Sequence, residues 1–522
     1  MIKKLTILIF STIIILTILT FLIILTNSTN TVAIQDNNED IETSGYDLSD
    51  IDPLADLEVT VTIKEIRALD RIDLFSDPDF YVKVFINDVE HISPVWRNQK
   101  YLKPNWYITQ DVPDNEEYVN IKIQLWDRNT WKDRICDISG DSEGSGKDSV
   151  YSLDLTYSLK SGHWWGDDYI YPSSVMFDPS GYGRANGCDD NSIYQFDRDC
   201  EIWFEVSQND YDGDGIPFWT ELNVFGTDPK VDDSNRDDDC DEIPMGWEFK
   251  WGHYYNERYE KDYWLYDPFN WDDHRSIDLD NDGLDNVEEF LTSEWGSDPF
   301  RQDIFLELNK MEIGPNGEGG VVPEESKDLI VDAFSKHNFV FHIIDADELI
   351  PFDADTTDAE LQELYLDYFL DGDPDNWKRG VMHCGLVIYH STRIGGFCFA
   401  SDVNGTSYLD SFQVSTRYLE RTSEKASFVD KILRRSFKKE QQRVMVYAGA
   451  LMHETGHTLG IFNWNTPGCD SISLKWIKYR SCMSYLYTYY LIDYSDGSRG
   501  KNDFDDWNNI DLTFFQNDFG WR

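Results

Sequence analysis

The residues best equipped for chemistry lie near the C-terminus, in the run His453-Glu454-Thr455-Gly456-His457-Thr458-Leu459-Gly460. Two histidines four apart share one helix face, so both can reach a single cation. Neutral imidazole suits Zn²⁺, and Glu454 stands beside it where it can take a proton from water on the metal. The flanking residues predict a helix. Val444, Tyr447, Ala448 and Leu451 make one apolar stripe, with Val446, Ala450, His453 and His457 as the neighbouring row. Gly460 is a helix stop. Two imidazoles leave the site incomplete, and neither histidine nor glutamate follows His457. The remaining donors are Asp470, Asn463, Cys469 and the Asp residues from Asp493 onward. Ligand chemistry favours Asp470: the turn Thr466-Pro467-Gly468 delivers a carboxylate, whereas an amide oxygen is a poor Zn²⁺ ligand. Cys469 stays open as an alternative, although in an exported chain it is expected to pair with Cys482.

A second chemistry repeats upstream. Asp210, Asp212 and Asp214 lead to Glu221 at the twelfth position. Asp237, Asp239 and Asp241 lead to Glu248, and Asp278, Asp280 and Asp282 lead to Glu289. Alternating Asp in a tight loop supplies the oxygens that Ca²⁺ takes, and glycine at position six permits the turn. Gly215 and Gly283 fill that position in the outer copies; Glu242 fills it in the middle one. Each copy continues to an Asp-Pro pair and then another Asp: Asp228-Pro229 with Asp232, Asp267-Pro268 with Asp272, and Asp298-Pro299 with Asp303. The pattern resembles thrombospondin type 3 and dockerin-like calcium repeats. Its expected role is to stiffen a segment with little core of its own.

The totals bound the rest. The 522 residues allow several domains, and 41% hydrophobic content supports real cores. The net charge of −53 attracts cations and repels nucleic acid. Lys3 and Lys4 precede an uncharged run from Leu5 to Leu25, long enough to cross a bilayer. The expectation is a signal anchor or signal peptide over residues 1–25, with the bulk of the chain outside the cell. Residues 26–54 read as an acidic flexible stalk. Eight cysteines behind an export signal favour disulfides.

From residue 55 to 207 the pattern is β. Val59, Val61 and Ile63 alternate, followed by Phe80–Ile86 and by Val119, Ile121, Ile123 and Leu125. Asp73-Leu-Phe-Ser-Asp77-Pro78-Asp79-Phe80 resembles the first calcium loop of C2 domains, and Trp126-Asp127-Arg128-Asn129 through Asp133 their third loop. That resemblance implies a β-sandwich with Ca²⁺ between Asp73, Asp79, Asp127 and Asp133. Asn129, where Asp is usual, and a Gly/Ser-rich insertion at Gly140–Lys147 are departures.

Residues 303–522 read as α/β: strand Ile304–Leu308, helix Lys327–His337, strand Phe339–Ile344 and helix Leu361–Leu370. Consecutive strands Val381–Tyr389 and Gly395–Ala400 follow, then an amphipathic Lys425–Lys438 before the histidine helix. This order, the histidine run and Ser481-Cys482-Met483-Ser484-Tyr485 together resemble the metzincin metalloproteases. The resemblance implies Met483 as a Met-turn under the zinc and Tyr485 as a tyrosine that can reach the metal. It also implies Gly395–Ala400 as the edge strand along which substrate extends. Asn463 stands where that family has its third ligand, which is the departure. The expectation is therefore a multidomain chain: N-terminal transmembrane helix, C2-like sandwich, calcium repeats over 208–302, and a metzincin-like zinc endopeptidase domain with Glu454 as general base. Its partners would be a peptide substrate and, through the N-terminal segment, a membrane. The alternative is a calcium-dependent cell-surface adhesion protein with a degenerate zinc domain.

Overall fold

The computed structural model describes residues 56–73, 76–139, 151–167, 183–190, 198–256, 261–391, 395–425 and 439–519. Four expectations fall outside these residues: the membrane-spanning run, the stalk, the Gly/Ser-rich insertion and nearly all of the amphipathic segment after Lys425. Among the described residues no helix is long and apolar enough to cross a membrane.

Strands β1 (Glu58–Ala68), β2 (Phe80–Ile86), β3 (Val89–Ile92), β4 (Tyr101–Leu102), β5 (Trp106–Asp111) and β6 (Tyr118–Asp127) open the chain. Strands β7 (Arg134–Ile135), β8 (Leu153–Ser158), β9 (Trp164–Gly166), β10 (Gly183–Asn186) and β11 (Cys200–Gln208) follow. They make two antiparallel sheets, one ordered β10-β11-β1 with β4 and β5 on β1, the other β3-β2-β6-β8-β9 with β7 on β6. The alternation read in the sequence explains the packing. Val59, Val61 and Ile63 meet Val82, Val84, Ile121 and Ile123 in one core.

The repeat segment has little regular structure: a helix Met245–Gly252, a hairpin of β12 (His253–Asn256) and β13 (Lys261–Trp264), and a helix Asn286–Thr292. Asp285 caps that last helix in a reciprocal box with Glu288.

The third region is a sheet ordered β15-β14-β16-β18-β17, built from β14 (Asp303–Lys310), β15 (Val340–Asp345), β16 (His383–Ile388), β17 (Gly396–Val403) and β18 (Thr406–Ser415). Four strands are parallel and β17 alone is antiparallel, at the edge. Strand β14 is covered on both faces, which is why it reads as a continuous apolar run. Ile304, Leu306 and Leu308 pack toward helix Glu324–Ser335 and the histidine helix Lys439–Thr458. Phe305 packs on the other side, with Leu361, Tyr365 and Phe369. The two strands expected to be consecutive are so only along the chain, because β18 inserts between them. Strand β18 has no counterpart among the expectations: its buried Asp410, Ser411 and Gln413 hide the apolar alternation.

The histidine helix lies unusually close to the segment after Met483. A Cβ added at Gly449 would stand 1.7 Å from the Thr488 carbonyl oxygen. Helix propensity alone makes Gly449→Ala stabilising by about 1 kcal/mol. The backbone collision reverses that sign, and we expect a net loss of about 2 kcal/mol or more in thermal or denaturant unfolding.

Candidate metal centre

His453 and His457 sit one turn apart on a helix buried from Val446 to Thr458. Each ring is held from behind by a backbone carbonyl. Nδ1 of His453 is 2.9 Å from the Cys482 oxygen, and Nδ1 of His457 is 2.8 Å from the Ile461 oxygen. Donating from Nδ1 leaves both Nε2 lone pairs facing forward. They meet the same atom: Asp470 Oδ1 lies 3.2 Å from His453 Nε2 and 3.6 Å from His457 Nε2. The three side chains form one group of metal-donor geometry. Asp470 reaches it in a left-handed conformation, φ 55°, with its N–H bonded to the Met483 oxygen at 3.0 Å. Helix termination at Gly460 (φ 87°) is as read from the sequence.

The field at this point favours positive charge. Burial opposes a charge on His453, but Asp470 and Glu454 outweigh it and raise its pKa. Burial likewise opposes ionisation of Asp470, yet the two imidazoles beside it hold its pKa well below the usual carboxylate range. Glu454 is 6% exposed, and its Oε2 makes no hydrogen bond. Burial raises its pKa against the pull of the histidines. Three converging lone pairs and an orphaned buried carboxylate oxygen fit a divalent cation with two nitrogens and one oxygen, the set that Zn²⁺ accepts.

The other candidates are elsewhere. Asn463 is exposed in the turn after the helix. Cys469 is buried, with Sγ 3.8 Å from the Ile461 oxygen and 3.7 Å from Asp470 Oδ2, outside the donor group. The expected Cys469–Cys482 bridge is not formed, and all eight cysteines are free thiols. Hydrogen bonds perform the bridge's task. Asp470 N–H bonds Met483, and the Ser484 hydroxyl bonds the Ser471 oxygen at 3.2 Å. Met483 is fully buried under the helix, where a Cβ on Gly456 would meet its sulfur at 2.4 Å. Tyr485 stacks on His453 with centroids 5.4 Å apart, and burial and then the nearby Asp470 raise its pKa. Edge strand β17 begins at the carboxylate: a Cβ on Gly396 would lie 2.5 Å from Glu454 Oε1.

The three repeat loops share one hydrogen-bond set. The first Asp accepts from the N–H groups at positions four and six: Asp210 from Gly213 and Gly215 (2.9 and 2.8 Å), Asp237 from Cys240 and Glu242 (2.6 and 3.3 Å), Asp278 from Asn281 and Gly283 (2.8 and 3.1 Å). The fifth-position Asp reaches forward to a later backbone N–H: Asp214 to Asp233 at 3.1 Å, Asp241 to Asp272 at 3.2 Å, Asp282 to Asp303 at 2.8 Å. In the first copy that partner is Asp233, one residue beyond the Asp232 read from the pattern. Glu242 adopts φ 85°, matching Gly215 (88°) and Gly283 (96°), so the middle loop keeps its shape at a strain of about 1–2 kcal/mol. Asp210, Asp212 and Asp214 converge, as do Asp237, Asp239 and Asp241, and Asp278, Asp280 and Asp282. The twelfth-position Glu221, Glu248 and Glu289 are buried.

The sandwich loops differ from expectation. Arg134, absent from the sequence reading, donates one guanidinium nitrogen to Asp73, to Asp127 (3.1 Å) and to Asn129 (2.9 Å). Asp133 accepts from Tyr81 (3.0 Å) and from the Asn129 N–H (3.0 Å), and Asp79 accepts from the Asn98 N–H (2.8 Å). Arg134 thus pairs with Asp73 and Asp127, two of the four carboxylates read as calcium ligands. No pattern signals it, because β7 has to turn Arg134 inward.

A family model for the C2 domain matches residues 57–147. A C2-like β-sandwich is present. Among similar solved structures, an isolated C2 domain is 11% identical over 29% of this chain and 98% of its own, with TM-score 0.18. Human GIVD cytosolic phospholipase A2 is 13% identical over 29% of this chain and 17% of its own, TM-score 0.18. A C2 domain of plant extended synaptotagmin 1 is 11% identical over 29% and 93%, TM-score 0.17. The comparison with curated proteins gave no match. The family match covers strands β1 to β7 of the sandwich and does not extend to β8–β11, the repeats or the histidine helix.

The repeats yield a prediction. Burial and then neighbouring aspartates push Glu221 up to about 8 and Glu248 up to about 9. A carboxyl whose folded pKa exceeds its unfolded value keeps a proton that the unfolded chain has lost, so stability falls as pH rises through that window. With chelator present, the melting temperature should drop between about pH 5 and pH 9. Added Ca²⁺ should restore it most at the upper end. A chelated protein with a flat profile would contradict cation binding at these loops.

Proposed function

We propose that the chain is an exported zinc-dependent endopeptidase whose first and third repeats bind calcium and whose catalytic sheet lies beside the C2-like sandwich. The observation that carries this reading is the convergence of His453 Nε2, His457 Nε2 and Asp470 Oδ1 beside the unpartnered Glu454 Oε2. A zinc ion held by His453, His457 and Asp470 supplies, when bound, an electrophile for the scissile carbonyl and a more acidic water.

The chain's own residues supply the rest. Burial keeps Glu454 a strong enough base to take a proton from the attacking water and release it to the leaving amine. That transfer accounts for both protons of the water in hydrolysis: one stays on the new carboxyl oxygen until it ionises, and one passes through Glu454. Tyr485, between Asp470 and solvent, is 53% exposed and can donate to the carbonyl oxygen as negative charge grows there. Strand β17 supports extended substrate. It is the sheet edge, it pairs with β18 only on its inner side, and it starts at Glu454. Placement at the cell surface belongs to the same proposal and rests on the N-terminal apolar run.

The test is a pair of variants assayed on unfolded protein and mixed peptides. Glu454→Gln should keep stoichiometric zinc and lose hydrolysis by at least about a hundredfold. Asp470→Ala should lose zinc as well. Full peptidase activity in the Glu454→Gln protein would remove the mechanism.

A further inference from the structure

The middle repeat contains a buried side chain that the calcium pattern does not use. His274, in the turn His274–Ser276, is 1% exposed. Its ring stands edge-on to Trp247 and Tyr266, with centroids 6.2 and 5.4 Å away, which fixes its plane. Nδ1 lies 2.9 Å from the Asn286 amide. Nε2 points into the loop, 3.0 Å from Asp241 Oδ2 and 3.9 Å from Glu248 Oε1. It makes no well-formed hydrogen bond there. Glu248 Oε1 and both oxygens of Asp239 are also buried without one. Asp241, Glu248 and His274 converge as possible metal donors, and Asp241 also belongs to the loop group with Asp237 and Asp239.

Charge decides what belongs between them. Asp237, Asp239, Asp241 and Glu248 bring four carboxylates to the loop. Asp237 is exposed and Asp239 half-buried, but Asp241 and Glu248 are buried with the imidazole, and a divalent ion among them satisfies both carboxylates and the unpartnered Nε2 together. Chemistry decides which ion. Ca²⁺ takes six to eight oxygens, whereas imidazole suits Zn²⁺ and its first-row neighbours. Glu242 also acquires a use. Its carboxylate pairs with Arg275 Nε at 2.9 Å, tying the loop to the residue after His274. Glycine in its place would leave that tie unmade.

We infer that the middle repeat is a mixed nitrogen–oxygen site, with Asp241, Glu248 and His274 as ligands, that takes a Zn²⁺-class ion in preference to Ca²⁺. The Asn286 amide nitrogen faces Nδ1 and its oxygen faces the Tyr266 hydroxyl; with Nε2 on the metal Nδ1 carries the proton, and the amide turns over to accept it.

The experiment uses the full chain equilibrated in millimolar Ca²⁺ with micromolar Zn²⁺, and counts bound metals. The unaltered chain should hold two zinc ions. His453→Ala with His457→Ala empties the peptidase centre and should leave one, so this count stands apart from the proposed activity. Adding His274→Ala should remove the last. No zinc in the double variant, or an unchanged count after His274→Ala, overturns the inference. Should the triple variant not fold, the double variant is titrated with Co²⁺ in excess Ca²⁺. Visible d–d bands saturating at one equivalent support the site, and their absence overturns it.

Discussion

Two imidazole nitrogens face one carboxylate oxygen, at 3.2 and 3.6 Å. Such a group repels itself unless positive charge sits among it, and the surrounding fold is arranged to hold it nonetheless. Carbonyls of Cys482 and Ile461 turn the imidazoles forward. The left-handed backbone at Asp470 and its bond to Met483 bring the carboxylate in from a separate segment. Small residues at Gly449 and Gly456 let that segment press against the helix. Each of these devices restricts where a donor atom can go, which is what preorganised metal affinity requires.

The third repeat loop is joined to this group through the sheet. Strand β14 begins at Asp303, whose N–H closes the third loop on Asp282. Leu284 of that loop packs in the core beneath the same sheet, and Gln516 bonds both Gly283 and Gly380, at 2.8 and 2.9 Å. The third loop and the central strand are therefore one packing unit. The C2-like sandwich attaches on the opposite helix: Arg67 pairs with Asp332 at 2.8 Å, and Asn186 donates to the Ser335 oxygen at 2.9 Å. The shape of the third loop thus bears on the position of strand β14.

What could be read from the sequence follows from the kind of group involved. Side chains at fixed spacing were legible: His453, Glu454 and His457, the Asp positions of the three loops, and Met483 with Tyr485. Asp470 was legible because few zinc donors follow the helix and a Pro-Gly turn precedes it. Backbone groups were not, since the Cys482 and Ile461 carbonyls have no letter of their own. Arg134 and His274 were missed for another reason: tertiary packing brings each to its loop, with no spacing to announce it. The disulfide expectation rested on cysteine count and export. It failed because Cys469 points toward the Ile461 oxygen and Cys482 lies in the core. Strand β18 was missed because its inward face is polar, satisfied by bonds such as Tyr365 to Asp410 at 2.6 Å.

The most direct test of the central claim is X-ray absorption at the zinc edge on the purified full chain with His274 replaced by Ala, so that one zinc environment remains. The expected first shell contains nitrogen and oxygen only, with the outer scattering of two imidazoles, and bound zinc is lost when Asp470 is changed to Ala. A shell containing sulfur would transfer the third position to Cys469. Absence of bound zinc in the protein with His453, His457 and Asp470 intact would contradict the metal centre itself.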